Sequence, residues 1–280
     1  EEAPDGLKPG DPVFGVVMNG VAKAYPQEIL VLHEICNDTI GDTPVSVTYC
    51  PLTGTAMGFF RGETTLGVSG RLVNNNLIMY DRARETWWPQ MLASAIPGPW
   101  NEDPEIQSLQ QFPVVWTTWE RWRTEHPETR LLSRDTGYAR NYDSDPYGSY
   151  NPREGYYALD AEPMFAALSA DDRLPTKAVV IGARTPAGAV AFKKDLLREM
   201  KLAEGSLADS PVLAVYDDAL DTAYLYLNSK ERSFEYRDGK AVDADGERHA
   251  PANLPLDALL AFDAMWFAWA GFYPETSLYV

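Results

Sequence analysis

The chain matches itself. With Val13 set against Val180 and both stretches run forward without a gap, Gly15 meets Gly182, Ala22 meets Ala189, Ala24 meets Ala191, Tyr25 meets Phe192 and Leu30 meets Leu197. Further along, Pro44-Val45 meets Pro211-Val212, Tyr49 meets Tyr216 and Thr55-Ala56 meets Thr222-Ala223. The ends also correspond: Trp119, Trp122 and His126-Pro127-Glu128-Thr129 stand against Trp266, Trp269 and Tyr273-Pro274-Glu275-Thr276. Self-similarity over such a length reads as an internal duplication, so the fold must accommodate two like units. The shared residues are mostly apolar, glycine or aromatic, the composition of a scaffold. The chemically interesting ones are not shared: Cys50 faces Asp217, His33 faces Met200, Cys36 faces Ala203 and Gly54 faces Asp221. The sequence therefore divides into a first repeat bearing the site (residues 1–133), a connector (134–179) and a second, degenerate structural repeat (180–280). The connector is rich in tyrosine and turn formers, so it is expected to be ordered, because free linkers carry few aromatics.

Local signals fill in the first unit. Asn19-Gly20 between two apolar runs predicts a hairpin over residues 13–25, since both turn residues tolerate positive φ. Pro26-Gln27-Glu28 opens a helix expected to run to about Cys36, with Ile29, Leu32, His33 and Cys36 on one face. The β-branched run Val45, Val47, Thr48 leads into Tyr49-Cys50-Pro51-Leu52-Thr53-Gly54, and Ala56, Met57, Phe59 and Phe60 leave it, which reads as strand, tight loop, strand. Strands are also expected over 64–69 and 77–80, a loop over 97–113, and a helix over 116–126 with an aromatic face of Trp116, Trp119 and Trp122. The class expected is α+β, mostly antiparallel β with a few helices, two degenerate repeats packed as one unit.

Charge excludes some partners. With 24 basic and 41 acidic residues in 280, the net charge is −17. That excess, spread along the chain, argues against nucleic acid and anionic membrane surfaces. No apolar run reaches the roughly 18 residues of a membrane span. The most apolar piece, 254–273, is broken by Pro255, Asp257 and Asp263. The expected partner is a small ligand or a metal ion. A first residue of Glu1 instead of methionine is read either as a mature start after export or as a trimmed chain.

Two cysteines and three histidines limit the chemistry. Cys50 and His33, with Cys36 or Met79 as a third ligand, make up a soft donor set, and a copper ion is the favoured cofactor. The rival reading makes Cys50 a nucleophile and His33 its base, since a thiolate needs such a neighbour to form. A third joins Cys36 to Cys50 in a disulfide stapling a non-catalytic binding module. Around them lie Ser69, Arg71, Asn74, Asn76, Asp81, Arg82, Arg84, Trp88 and Gln90. Within this set Asn74, Asp81 and Arg82 are the candidates to hold a small anionic ligand.

Gly20-Val21-Ala22-Lys23-Ala24-Tyr25-Pro26, His33-Glu34-Ile35-Cys36-Asn37-Asp38, Thr48 through Ala56, Gly67-Val68-Ser69-Gly70, Leu77 through Arg82 and Trp266-Phe267-Ala268-Trp269 occur in that order. In these motifs the chain resembles the bacterial and archaeal domain of unknown function 3179 family over nearly its whole length. The resemblance implies an extracytoplasmic location, since members usually carry export or lipoprotein signals, and it supplies no activity. Two departures stand out. Thr53 occupies a position where the family often has a second cysteine, and Cys36 one where it often has valine.

Overall fold

A computed structural model describes residues 6–96 and 108–280. The sequence start at Glu1 and most of the expected 97–113 loop therefore fall outside the described residues.

The first half opens with the predicted hairpin, β1 (Pro12–Met18) and β2 (Val21–Pro26), turning at Asn19 and Gly20 with φ of 52° and 73°. Helix α1 (Gln27–His33) follows. It is shorter than expected, because Glu34 adopts φ 59° and its N–H closes on Leu30 O. Cys36 is thus a strand residue, within β3 (Ile35–Ile40). Next come β4 (Thr43–Cys50), β5 (Thr55–Phe60), β6 (Leu66–Val73), β7 (Asn76–Asp81), β8 (Trp87–Pro89), β9 (Gln111–Phe112) and β10 (Val115–Thr118). Helix α2 (Trp119–Glu125) and β11 (Arg130–Leu131) end this half. Trp116, expected on a helix, sits in β10 because that stretch pairs with β1, Phe14 opposite Trp116.

The connector carries a small hairpin, β12 (Gly148–Tyr150) and β13 (Arg153–Gly155). The second half contains β14 (Val179–Thr185), β15 (Gly188–Lys193), α3 (Lys194–Met200), β16 (Leu202–Leu207), β17 (Ser210–Asp217) and β18 (Thr222–Leu227). It continues through β19 (Phe234–Arg237), β20 (Lys240–Asp243), β21 (Arg248–His249), β22 (Asp257–Leu259), β23 (Ala261–Met265), α4 (Trp266–Phe272) and β24 (Ser277–Tyr279). The fold is mostly antiparallel β with a few short helices, and no helix of the described residues is long and apolar enough to cross a membrane.

Sheet order in the first half is β10-β1-β2-β11, β3-β4-β5-β9 and β6-β7-β8; in the second it is β23-β14-β15-β24, β16-β17-β18-β22 and β19-β20-β21. Small contacts correspond as well. Gly15 lies against the Trp122 ring, and Gly182 against that of Trp269. Trp122 Nε1 donates to Thr129 Oγ1 at 2.8 Å, and Trp269 Nε1 to Thr276 Oγ1 at 3.0 Å.

Each half pushes one hairpin tip into the other. From the first, Thr53 O accepts the amide of Met265 at 2.9 Å. From the second, Leu220 enters the apolar cluster of Trp119 and Trp122, while Arg121 Nη1 donates to Ala219 O at 3.0 Å. The largest apolar cluster spans the seam, joining Cys50, Met57, Met79 and Trp88 to Val180, Trp266 and Trp269. Because this core is assembled from both halves, hydrophobic burial couples them into one unit.

Candidate functional site

Tyr49 to Ala56 forms the strand, turn and strand that its residue types imply. Gly54 takes φ +59°, and a Cβ there would meet Met265 at 3.2 Å, so glycine serves both the turn and the close approach. Beneath the turn lies a buried polar network. Thr55 Oγ1 donates to Gln90 Oε1 at 2.7 Å, and Gln90 Nε2 donates to Thr48 Oγ1 at 2.8 Å. Asn76 Nδ2 donates to Gln90 Oε1 at 2.9 Å and to Thr53 Oγ1 at 3.1 Å, and Asn76 Oδ1 accepts the Met91 amide at 2.9 Å. With every member partnered, such a network holds a single geometry.

Cys50 is buried above it, its Sγ donating to Asn75 O at 3.5 Å. Burial raises its pKa, against smaller opposing pulls from Thr53 and the Leu77 backbone, so the thiol is neutral at pH 7. His33 Nε2 is hydrogen-bonded to Tyr142 Oη at 2.7 Å, and its ring packs against Tyr138 and Tyr142. Burial, aided by Arg140, lowers its pKa. Among the described residues no hydrogen bond joins the imidazole to Cys50.

Cys36 is elsewhere again. It faces Val47 across β3 and β4, and Cys50 lies three positions beyond Val47, so the two thiols point to opposite faces of the sheet. Both are free, so the disulfide of the third reading is not formed in this structure. Burial and nearby Asp38 push the Cys36 thiol up to about 12. Met79 shares the seam core with Cys50, but Cys36 packs on the first-half core and His33 on the connector. The four proposed ligands therefore occupy three environments and do not fit one copper ion, which needs them converging. Among the described residues, the cluster of three metal-ligating types with converging atoms is Asp243, Glu247 and His249. There Asp243 already accepts from Arg232, His249 and the amides of Asp245 and Glu247.

The expected ligand-holding set is also occupied by protein. Asn74 Nδ2 donates to Ala268 O at 3.1 Å and its Oδ1 accepts the Leu168 amide at 2.8 Å, tying β6–β7 to the connector and α4. Asp81 accepts from Trp88 Nε1 and the Arg84 amide. Arg82 Nη1 donates to Leu66 O at 2.7 Å and Thr65 Oγ1 at 3.1 Å.

The open space lies at the seam instead. A cavity of about 380 Å³ is bounded by Gly54, Trp116 and Tyr150 on one side and by Lys193, Lys194 and Met265 on the other. Lys194 and Asp263 form an ion pair of 2.9 Å within it, both nearly fully buried. Arg198 bridges Asp195 at 2.9 Å and Asp221 at 2.7 Å, and together with other hydrogen bonds it holds Asp221 down to about 2. Arg153, from the connector, completes the wall. A neighbouring cavity of about 480 Å³ shares Tyr150 and Asn151, but its Arg134 is fully engaged by Glu28 and Asp143. Between the two lies a chain of buried phenols: Tyr49 donates to Tyr150 at 2.9 Å, and Tyr157 to Asp145 Oδ2 at 3.1 Å.

Arg153, Lys193 and Lys194 come from distant stretches and carry no motif, so the linear sequence does not mark them as neighbours of Gly54 and Trp116. One available signal was the sequence register of the two halves, where Gly54 faces Asp221 and both stand at the seam. No curated protein and no solved structure matches the chain. The family model described as "Protein of unknown function (DUF3179)" matches residues 1–276, and with nearly all of its length covered the chain belongs to that family.

Proposed function

We propose that this protein binds a small organic molecule in the cleft between its two halves. The observation that carries the reading is a cavity of about 380 Å³ lined from both halves and the connector. It has the size of small-molecule sites and their mixture of apolar wall and a few placed polar groups. Cys50 and His33 have no part in this reading. Thermal denaturation against a library of neutral, cationic and anionic metabolite-sized compounds tests it. Some compounds are expected to raise the midpoint, and Leu159→Trp, which fills the cavity from a half-exposed position, is expected to abolish the shift. A library that moves neither protein, or moves both alike, refutes it.

We also infer that the two halves descend from one duplicated unit, supported by their matching strand orders and the paired Gly–Trp contacts. An experimental structure in which Gly15 and Gly182 fail to superpose when the halves are overlaid would overturn this. The family resemblance supports an extracytoplasmic location, which fractionation of the native host tests: recovery with the cytoplasm refutes it.

A further inference from the structure

We infer that the ligand of the cleft is an organic monocarboxylate with a flat apolar body, its carboxylate held by Arg153. This rests on the proposed cleft and adds the chemistry of the occupant.

Arg153 is a partly buried guanidinium on the cavity wall with no carboxylate in ion-pair range among the described residues. Its Nε donates to Tyr157 O at 2.8 Å and its Nη2 to Lys177 O at 3.1 Å. Those two carbonyls fix the plane of the group without neutralising it, and its Nη1 has no protein acceptor among the described residues. A positioned, unneutralised guanidinium is the side chain best suited to receive a carboxylate. Lys193, also on the wall, likewise has no ion-pair partner among the described residues. The remaining wall charges satisfy one another, Lys194 with Asp263 and Arg198 with Asp195 and Asp221. Four cations thus face three carboxylates, an excess of one positive charge in a chain whose net charge is −17.

One excess charge suits a monoanion. A dianion such as a phosphate ester would bring one more negative charge than the wall's single excess positive charge balances, and a cationic ligand would meet Arg153. The rest of the wall sets the body of the ligand. Trp116 and Tyr150 stand edge to face at 5.1 Å, and Leu159, Pro175 and Val179 extend the apolar surface. Such a surface favours a flat apolar group.

The test is calorimetric titration, with tryptophan fluorescence as a second readout, using benzoate, phenylacetate, benzamide, benzylamine and succinate. Benzoate or phenylacetate is expected to bind at least tenfold more tightly than benzamide, benzylamine or succinate. Arg153→Gln is expected to lose at least tenfold for the monoacid and to leave benzamide unchanged. Should Arg153→Gln fail to fold, Lys193→Gln and a salt series carry the test, since charge-anchored binding weakens in both. Benzamide, benzylamine or succinate binding as tightly as the monoacids would overturn the inference while leaving the cleft in place. So would monoacid binding insensitive to both variants and to salt. If all five compounds fail but the library yields a ligand that Leu159→Trp blocks, the carboxylate assignment falls alone; if the library yields none, the cleft falls with it.

Discussion

Lys177 is fully buried, and its ammonium has no carboxylate in ion-pair range among the described residues. Its Nζ donates to Tyr156 O at 2.7 Å and lies over the Tyr156 ring. Burial, with Arg153 adding to it, pushes its pKa from 10.5 down to about 7. Between those values the unfolded chain holds a proton that the folded chain does not, so stability rises with pH across the window. The gain is complete above the unfolded value and lost progressively as pH falls to the folded one. The gap corresponds to about 4–5 kcal/mol in all, of which about 2 kcal/mol falls between pH 7 and 9. Lys177→Met keeps most of the volume and removes the titration, while leaving the Tyr156 carbonyl without its donor at a cost of about 1–2 kcal/mol. Urea unfolding at pH 6, 7, 8 and 9 should show the wild type gaining about 2 kcal/mol relative to the variant from pH 7 to 9, and the variant more stable at pH 6. Parallel stability curves for the two proteins over that range would refute the reasoning.

Two further outcomes follow from packing and protonation. Gly15→Ala would put a Cβ 2.2 Å from the Trp122 ring and Gly182→Ala one 2.3 Å from that of Trp269. Each is expected to cost about 2–3 kcal/mol by overpacking, and Trp122→Leu to reduce the cost of Gly15→Ala in a double-mutant cycle; additive costs in urea unfolding would count against the contact. Both thiols are held protonated, Cys36 at about 12. Iodoacetamide at pH 8 should therefore label Cys36 roughly a thousandfold more slowly than an ordinary thiol, with Cys50 also slow, and both rapidly in 6 M guanidinium. Rapid native labelling that disappears in Cys50→Ser would restore the nucleophile reading.

Much of the local structure was legible from residue types. Asn19-Gly20 required a hairpin, and the β-branched run before Cys50 required a strand. The apolar spacing of helix α1 continues to Cys36, whereas Glu34 takes positive φ and turns the chain into β3. Trp116, Trp119 and Trp122 recur at helical spacing, but pairing with β1 claims Trp116 for a strand. Cys50 and His33 are chemically capable residues by type. The fold gives the thiol a carbonyl and the imidazole a tyrosine, and keeps them apart.

By itself the sequence determined the local elements, the family and the like order of residues in its two halves, because turns, strands and self-similarity are properties of neighbours along the chain. Only the tertiary structure decided where a ligand could sit. Arg153, Lys193, Trp116 and Asp263 are far apart in sequence and meet at the seam, since the cleft exists only when each half docks its hairpin tip into the other. Whether a charged side chain is neutralised by a neighbour or left free to hold a ligand depends on that docking, and a linear pattern carries no record of it.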